Sequence, residues 1–477
     1  MNPGGRVAEQ LTIAEYYRIP AVRQRIREYC GGSDRGDLTC VFLSGLTPGA
    51  HTSWNDAPEY PVRDLDRLLA AGADISRSAW DSRDLLVHLD IDYQHVDRPA
   101  EPFEHPADMF VKLEPVRRTV QQWLDEFGLP LLVVMTGRGY HFTGRIPLEH
   151  PLVARLSELA PTPTWLATSP ARRPSWATAM ITPTLARAYT GLGMLVEYLA
   201  HLSIQRTGAR SRIPVVVNGT VVGPGPWGRE CTSLDFTYAG DPLDVRHLRV
   251  AFSAYQTHHL RDDVAASGAA VVPPLVAVPM AARPLLDVLE AGREPEAAAA
   301  LAAETSATIP IVTEGVRHLL DAYRSSSLAR FHQDFYVTEP DPPSRWPATY
   351  DRFDLASLVP CVSASLAAPN DLLLKPEHVQ HVTRYLLSQG WHPRHIAGLV
   401  HSRYAKDFGW GDRWMKIDAQ TRAEFDVRVF AGMIATGVDE GVDFNCRSAQ
   451  EKGLCPGRTC THDLRVDRER LLAQAHA

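Results

Sequence analysis

Residues 85–92, with the sequence LLVHLDID, form an apolar run that nevertheless contains two carboxylates. Side chains alternate between the two faces of an extended strand, so His88, Asp90 and Asp92 share one face. The Cα atoms of the two acids would lie roughly 7 Å apart, and two partly buried carboxylates repel each other unless a cation lies between them. A divalent metal is therefore one interpretation. The other is that both acids lie at the solvent end of the strand and pair with nearby arginines.

The composition around this stretch is that of an ordinary globular protein. The chain has 477 residues, of which 45% are hydrophobic and 22% charged, and its net charge is -7. This length indicates two or three domains. We find no run of about 18 apolar residues and no basic and apolar regions typical of a secretory signal, so we expect no membrane span and a cytoplasmic location. The negative net charge argues against a surface covered in positive charge for binding nucleic acid, although a basic groove remains compatible with it.

A second element, TGRGYHF at residues 136–142, lies between two apolar runs and predicts a tight turn between two strands. Its glycines let backbone N–H groups approach an anion closely, while Arg138 and His141 supply charge and hydrogen bonds beside them. Such a turn suits a triphosphate. By itself, it fits a purely structural hairpin that contains an arginine equally well.

A third acid, Asp235, lies among apolar residues in TSLDFTYAG, residues 232–240, whose alternation predicts another strand. Three strand carboxylates beside a phosphate-binding turn fit two-metal phosphoryl transfer, in which two cations stabilise the attacking and leaving oxygens. We therefore expect Mg²⁺ or Mn²⁺ at Asp90, Asp92 and Asp235.

These elements, in this order, resemble the catalytic core of the archaeo-eukaryotic primase superfamily, of the small-subunit type, across residues 85–255. A D-x-D strand, a [ST]-G-x-G-x-H turn, and a hydrophobic-Asp strand followed by a basic residue and "FS" carry the resemblance. It implies that Asp90, Asp92 and Asp235 are the metal-binding triad. The residues that it implies for nucleotide binding are Thr136, Gly137, Arg138, His141, Arg249 and Ser253. The turn is one residue shorter than the common form, so Arg138 can stand for either of two positions in it.

The cysteines give an independent signal, because four of the seven lie in the last third of the chain. They are Cys361, Cys446, Cys455 and Cys460. Pro-Cys, a long helical interval and three further cysteines resemble the iron-sulfur domain of the primase large subunit over residues 350–465, although the final interval is shorter than usual there. The resemblance implies a 4Fe-4S cluster. Zinc is the alternative metal, and free thiols are a third interpretation. The remaining cysteines are expected to be buried free thiols, namely Cys30, Cys40 and Cys231.

The expected fold class is α+β. A primase-type catalytic domain, with a central, mostly antiparallel sheet and flanking helices, would precede an all-α iron-sulfur domain. The predicted boundaries are an N-terminal helical segment at 1–35, the catalytic domain at 36–262, an Ala/Pro-rich linker with helices at 263–344, and the helical large-subunit-like domain at 345–477.

Local signals refine this prediction. Asn218-Gly219 between two β-branched runs predicts a hairpin over residues 213–223. Residues 155–185, rich in Pro, Ser and Thr, predict a surface excursion. Two helices are predicted over residues 375–390 and 392–404, and they fit either a packed helical hairpin or a helix-turn-helix.

The sequence thus predicts a single-chain DNA primase-polymerase that joins nucleoside triphosphates on a single-stranded DNA template. The C-terminal domain would bind the template and the initiating 5′ nucleotide, and a helicase or other replication or repair proteins are further expected partners. One alternative is a repair polymerase that extends existing ends but cannot initiate. A second is a non-catalytic iron-sulfur protein that binds nucleic acid. A third is a sugar-nucleotide transferase with a D-x-D metal site, which leaves the cysteines and His141 unexplained.

Overall fold

The computed structural model describes most of the chain as a mixture of helices and largely antiparallel sheets, which confirms the α+β class. The described residues are 11–32, 37–47, 57–166, 180–223, 228–240, 247–255, 275–367, 373, 375–406, 418–457 and 460–475. Residues 167–179 of the predicted surface excursion, and residues 256–274 around the predicted end of the catalytic domain, lie outside them. None of the helices described is long and apolar enough to cross a membrane.

Twelve strands are described. They are β1 (Leu43–Leu46), β2 (Glu59–Tyr60), β3 (Asp74–Ser78), β4 (Asp84–His95), β5 (Leu132–Met135), β6 (Gly139–Pro147), β7 (Val215–Val217), β8 (Glu230–Asp235), β9 (His247–Arg249), β10 (Ala254–Tyr255), β11 (Leu275–Val276) and β12 (Val278–Pro279). A six-stranded sheet has the order β12-β5-β6-β4-β8-β7, a four-stranded sheet the order β2-β1-β3-β9, and β10 pairs with β11. The strand that carries the two acids, β4, therefore lies inside the larger sheet.

Helices surround these sheets and make up the regular structure after residue 345 that the structure describes. They are α1 (Ile13–Tyr16), α2 (Pro20–Tyr29), α3 (Leu65–Ala70), α4 (Glu101–Glu104), α5 (Pro106–Phe127), α6 (Pro151–Ser157), α7 (Pro183–Thr207), α8 (Leu285–Arg293), α9 (Pro295–Glu304), α10 (Thr313–Arg324), α11 (Ser327–Val337), α12 (Pro360–Ala367), α13 (Pro376–Ser388), α14 (Pro393–Tyr404), α15 (Ala419–Ala435), α16 (Cys446–Glu451) and α17 (Leu464–Ala475). Short 3-10 helices connect several of them.

Helix α5 illustrates how local sequence sets these elements. Pro106 occupies its first turn, where the missing N–H costs no hydrogen bond. Gly128 ends the helix in the left-handed region, with φ of 67°. Between them Met109, Phe110 and Leu113 are buried at helical spacing and pack in the core against the sheet.

The hairpin predicted over residues 213–223 is wrong. Asn218 and Gly219 do adopt the positive φ values of a tight turn, 55° and 69°. However, β7 pairs in parallel with β8 instead of with the residues that follow the turn. Phe236 N–H donates to Asn218 Oδ1 at 3.1 Å, so the turn is bonded to the end of β8. The turn chemistry was read correctly from the sequence, but the strand partner was not.

The segment predicted as linker and helices also contributes to the sheets. Strands β11 and β12 belong to it, and β12 extends the six-stranded sheet by pairing with β5. Helices α8 to α11 follow.

The C-terminal helices pack directly on the sheet-containing part of the chain through α15. The rings of Phe425 on α15 and Phe236 after β8 lie 6.0 Å apart, centroid to centroid. Beneath them, Glu197 of α7 pairs with His332 of α11 at 3.2 Å and with Arg428 of α15 at 2.9 Å, all three side chains being buried. Because Arg428 and His332 both pair with Glu197, its carboxylate is not an isolated buried charge.

Candidate metal and nucleotide site

The register of three strands brings the predicted acids together. Asp90 on β4 lies directly opposite His141 on β6 and directly opposite Asp235 on β8. Residues opposite each other in an antiparallel pair have side chains on the same face, and Asp92 follows Asp90 on that face two residues later. The structure therefore places all three acids on one face of the sheet, on neighbouring strands.

The Gly-rich turn is anchored beside these acids. Thr136 N–H donates to Gly139 O at 2.8 Å, and Tyr93 N–H donates to Arg138 O at 3.0 Å, which bonds the turn to β4. Arg138 Nη2 in turn donates to Asp92 Oδ2 at 3.0 Å. The negative charge of Asp92 raises the pKa of the Arg138 guanidinium, which remains a cation at the edge of the acidic face.

Asp235 is held in a fixed orientation. Its side chain is buried, and its Oδ1 accepts from both the N–H and the hydroxyl of Thr237, each at 2.8 Å. A carboxylate that accepts from a backbone N–H and a hydroxyl is pre-oriented, as a metal ligand needs to be.

His88 joins the site although the sequence analysis gave it no role. Its Nε2 lies 2.5 Å from Asp90 Oδ1, and His141 Nε2 lies 3.7 Å from the same oxygen. Within the described part of the chain, His88, Asp90 and His141 are the one set of three or more metal-ligating side chains whose ligand atoms all lie within 4.8 Å of one another. Burial lowers the pKa of His141 to about 4, so its imidazole is neutral near pH 7. The period-2 pattern did place His88 on the acid face, which was the signal available.

Two of the predicted nucleotide-binding residues lie in a different setting. Arg249, on β9, forms a buried ion pair with Asp74 and lies over the ring of Tyr255, 4.5 Å from its centroid. The positive charge of Arg249 acts on His141 and adds to the lowering of its pKa, which is mainly due to burial. Ser253 is fully buried, and its hydroxyl accepts from Ile75 N–H at 2.7 Å. Arg249 is thus within electrostatic reach of His141, whereas the Ser253 hydroxyl is engaged in the core.

A small apolar cleft of about 20 Å³ opens beside the turn. Thr136 and Gly137 form one wall, so the cleft begins at the predicted phosphate-binding backbone. Other side chains that line it are Phe103, Phe110, Leu289 and Arg293. An apolar surface with the polar Thr136 at one end therefore lies beside the turn.

Helix α15 brings a further acid toward this region. Asp426 follows Phe425, is fully buried, and pairs with Arg422 at 3.2 Å. Burial raises its pKa, and repulsion from Asp235 adds to the effect. No local pattern points to Asp426, because about 190 residues separate it from Asp235.

The four C-terminal cysteines come into one neighbourhood. Cys361 lies in the first turn of α12, Cys446 begins α16, and Cys455 and Cys460 follow it. Burial raises the pKa of the Cys361 thiol to about 12, and repulsion from the other three thiols contributes. No three of these described sulfurs lie within 4.8 Å of one another.

The predicted environment of the other cysteines is confirmed. They are free and buried, namely Cys30, Cys40 and Cys231.

Comparisons with known proteins add no family to this picture: no family model matches the chain, and neither curated proteins nor solved structures match it significantly.

Proposed function

We propose that the chain is a DNA primase-polymerase, a template-dependent nucleotidyltransferase that starts or extends primers on single-stranded DNA. The observation that carries the proposal is the strand register, which sets Asp235 and His141 opposite Asp90 with Asp92 on the same face. Beside them lie a cationic Gly-rich turn and an apolar cleft. Acidic ligands next to an anion-binding turn are the combination that nucleotidyl transfer requires.

The donor set fits Mg²⁺ or Mn²⁺. Three carboxylates on one face supply the oxygen ligands that these ions prefer, and they would be held by Asp90, Asp92 and Asp235. When bound, such ions make the attacking hydroxyl more acidic and neutralise the phosphates.

The residues of the chain have separate tasks in the proposed reaction. A 3′-hydroxyl attacks the α-phosphate of a nucleoside triphosphate, its oxygen bonds to phosphorus, and pyrophosphate leaves while the hydroxyl proton passes to water. Arg138 and the backbone N–H groups of the turn would bind the phosphate oxygens. The neutral imidazole of His141 would donate a hydrogen bond there, and Phe103 at the cleft would contact the base or sugar.

We further propose that the four C-terminal cysteines hold a 4Fe-4S cluster and that the surrounding helices bind the template and the initiating nucleotide. A single zinc ion at about 2.3 Å from each thiolate would need sulfurs about 3.8 Å apart. No three of the described sulfurs lie within 4.8 Å of one another, and a four-iron core with one thiolate on each iron accommodates the wider spacing. Contacts to the template should weaken with salt. We also propose a cytoplasmic location, with a helicase or other replication or repair proteins as further partners.

Primer-free synthesis tests the catalytic proposal. Wild-type chain is incubated with a circular single-stranded DNA, labelled nucleotides and Mg²⁺ or Mn²⁺, and products are resolved by length. We expect labelled chains from wild type, and none from the Asp90→Asn, Asp92→Asn double variant. Asp125→Asn, on the exposed side of α5, is the matched control and should be as active as wild type.

The same assay separates the alternatives. Products only from pre-annealed primers would identify a polymerase that cannot initiate. Equal incorporation by the double variant and the wild type, or none by either under any condition, would reject catalysis at these acids and favour a nucleic-acid-binding protein.

Anaerobic purification followed by iron and zinc analysis and visible absorption tests the cluster. We expect about four irons per chain and a broad absorption that is lost in Cys361→Ser but retained in Cys231→Ser, a buried cysteine on β8. Stoichiometric zinc without iron would contradict the cluster and assign the same four thiolates to zinc.

A further inference from the structure

We propose that His88 is a metal ligand, and that with Asp90 and His141 it makes a mixed nitrogen and oxygen site that selects a transition metal such as Mn²⁺ or Co²⁺ over Mg²⁺. The inference deepens the proposed function and rests on it for the role of the ion. It does not rest on it for binding, which can be measured separately.

The position of the His88 ring carries the first step. The side chain is only 2% exposed, so water does not supply a partner for its ring. Its Nε2 makes no hydrogen bond to any described residue, although it lies 2.5 Å from Asp90 Oδ1. A buried ring nitrogen that points at a carboxylate oxygen without hydrogen-bond geometry needs a partner, and a cation held by both atoms supplies one.

The other ring nitrogen supplies the second step. His88 Nδ1 lies 3.0 Å from the hydroxyl of Thr143, which sits directly opposite His88 on β6. With the proton on Nδ1 and the hydroxyl as acceptor, Nε2 carries its lone pair toward Asp90. Metal-ligating histidines usually donate their second N–H in this way, which fixes both the tautomer and the ring orientation.

Packing holds the ring in this orientation. The rings of His88 and His141 lie 5.3 Å apart at 89°, edge to face, so both Nε2 atoms approach Asp90 from different directions. Tyr238 packs on His88 with ring centroids 5.6 Å apart. Two imidazoles and one carboxylate around a point make a convergent ligand set.

The chemistry of this set decides the metal. Mg²⁺ demands octahedral oxygen ligands, and it gives up its bound water molecules reluctantly. Imidazole nitrogen suits Mn²⁺ less than it suits later transition metals, but it favours all of them over Mg²⁺. The acids alone would accept either ion, so the two histidines are the residues that discriminate between them.

Wild-type full-length chain gives the direct test. Mn²⁺ is bound and its spin-echo modulation is recorded, and we expect coupling to the ¹⁴N nuclei of histidine. Absence of nitrogen coupling overturns the proposal. This measurement requires no variant to fold.

Variants give the second test, with Mn²⁺ and Mg²⁺ affinities measured by titration on each. We expect His88→Gln to weaken Mn²⁺ binding at least about tenfold and Thr143→Val about tenfold, because ligands and their supporting groups each matter on that scale. Mg²⁺ affinity should change far less in both. His201→Gln is the matched control, since His201 is also buried and bonded to a threonine hydroxyl, that of Thr436 at 3.1 Å.

Equal weakening of the two metals, or no weakening of Mn²⁺, overturns the assignment and leaves His88 as a packing residue. The result also separates the two proposals. Nitrogen-coupled Mn²⁺ without primer synthesis keeps this site and rejects the proposed function, whereas primer synthesis without nitrogen coupling does the reverse.

Discussion

Gly139 is the residue where a single methyl group should separate β6 from β4, the two strands that carry His141 and Asp90. It lies opposite Asp92 at the start of β6. A Cβ at this position would sit 1.8 Å from the carbonyl oxygen of Ile91, and that distance must grow to at least 3.0 Å. Because the obstacle is backbone and not a movable side chain, Gly139→Ala should push β6 away from β4.

The size of the effect follows from the bonds beside this contact. The hydrogen bonds from Thr136 N–H to Gly139 O and from Tyr93 N–H to Arg138 O flank it. Each contributes about 1 kcal/mol net, and inserting a methyl group into a packed position costs about 1–3 kcal/mol. We therefore expect a loss of roughly 3–5 kcal/mol of unfolding free energy. Since displacement by about 1 Å can cost about a hundredfold in rate, nucleotide incorporation should fall by about that factor.

The assay combines urea unfolding with nucleotide incorporation on the same preparations. Gly128→Ala is the control, because Gly128 has a φ of 67° with open space around it; its strain should cost about 1–2 kcal/mol without affecting incorporation. Wild-type stability and incorporation in Gly139→Ala would refute the register on which the site depends.

Three further predictions address other parts of the molecule. Arg138→Lys keeps the charge but loses the planar fork, so KM for the nucleotide should rise about tenfold with a smaller change in kcat, and an unchanged KM would argue against phosphate binding by this residue. The pKa of Glu197 is held at about 2 by Arg428 and His332 despite the opposing effect of burial. The stability that this carboxylate contributes is present above its usual pKa near 4.5 and is lost as the pH falls toward 2. About 3 kcal/mol of stability should therefore disappear in urea titrations between pH 5 and 2, and Glu197→Gln should flatten that pH dependence. Phe425→Ala should cost about 3–5 kcal/mol in the same titrations, and a loss below 1 kcal/mol would mean that the α15 contact is not a close-packed one.

The sequence predicted the acidic face because it is a local property of one strand. Period-2 alternation alone put His88, Asp90 and Asp92 on the same side, and the Gly-rich turn next to them was recognisable from its own residues. Asp235 could be proposed from its apolar neighbours. That it lies opposite Asp90 depends on which strands pair, and no pattern within either strand records that choice.

The errors and omissions have the same origin. Asn218 and Gly219 carry correct turn chemistry, yet tertiary pairing gave β7 a parallel partner. The hydroxyl of Ser253, a residue predicted to bind nucleotide, accepts from the backbone of β3, and its role in binding stays a prediction. Asp426 was invisible because only packing between distant helices brings it near the sheet. Long-range contacts decided each of these outcomes.

The contact made by α15 has a consequence for any attempt to divide this chain. Truncating the chain near residue 345 would remove Arg428 from its ion pair with Glu197 and expose Phe236 to water. The remaining fragment would keep the buried Glu197 carboxylate without one of its two partners, at a cost of several kcal/mol. A shortened N-terminal fragment should thus aggregate or need a compensating Glu197→Gln change, and its inactivity would say nothing about whether the C-terminal helices take part in the proposed reaction.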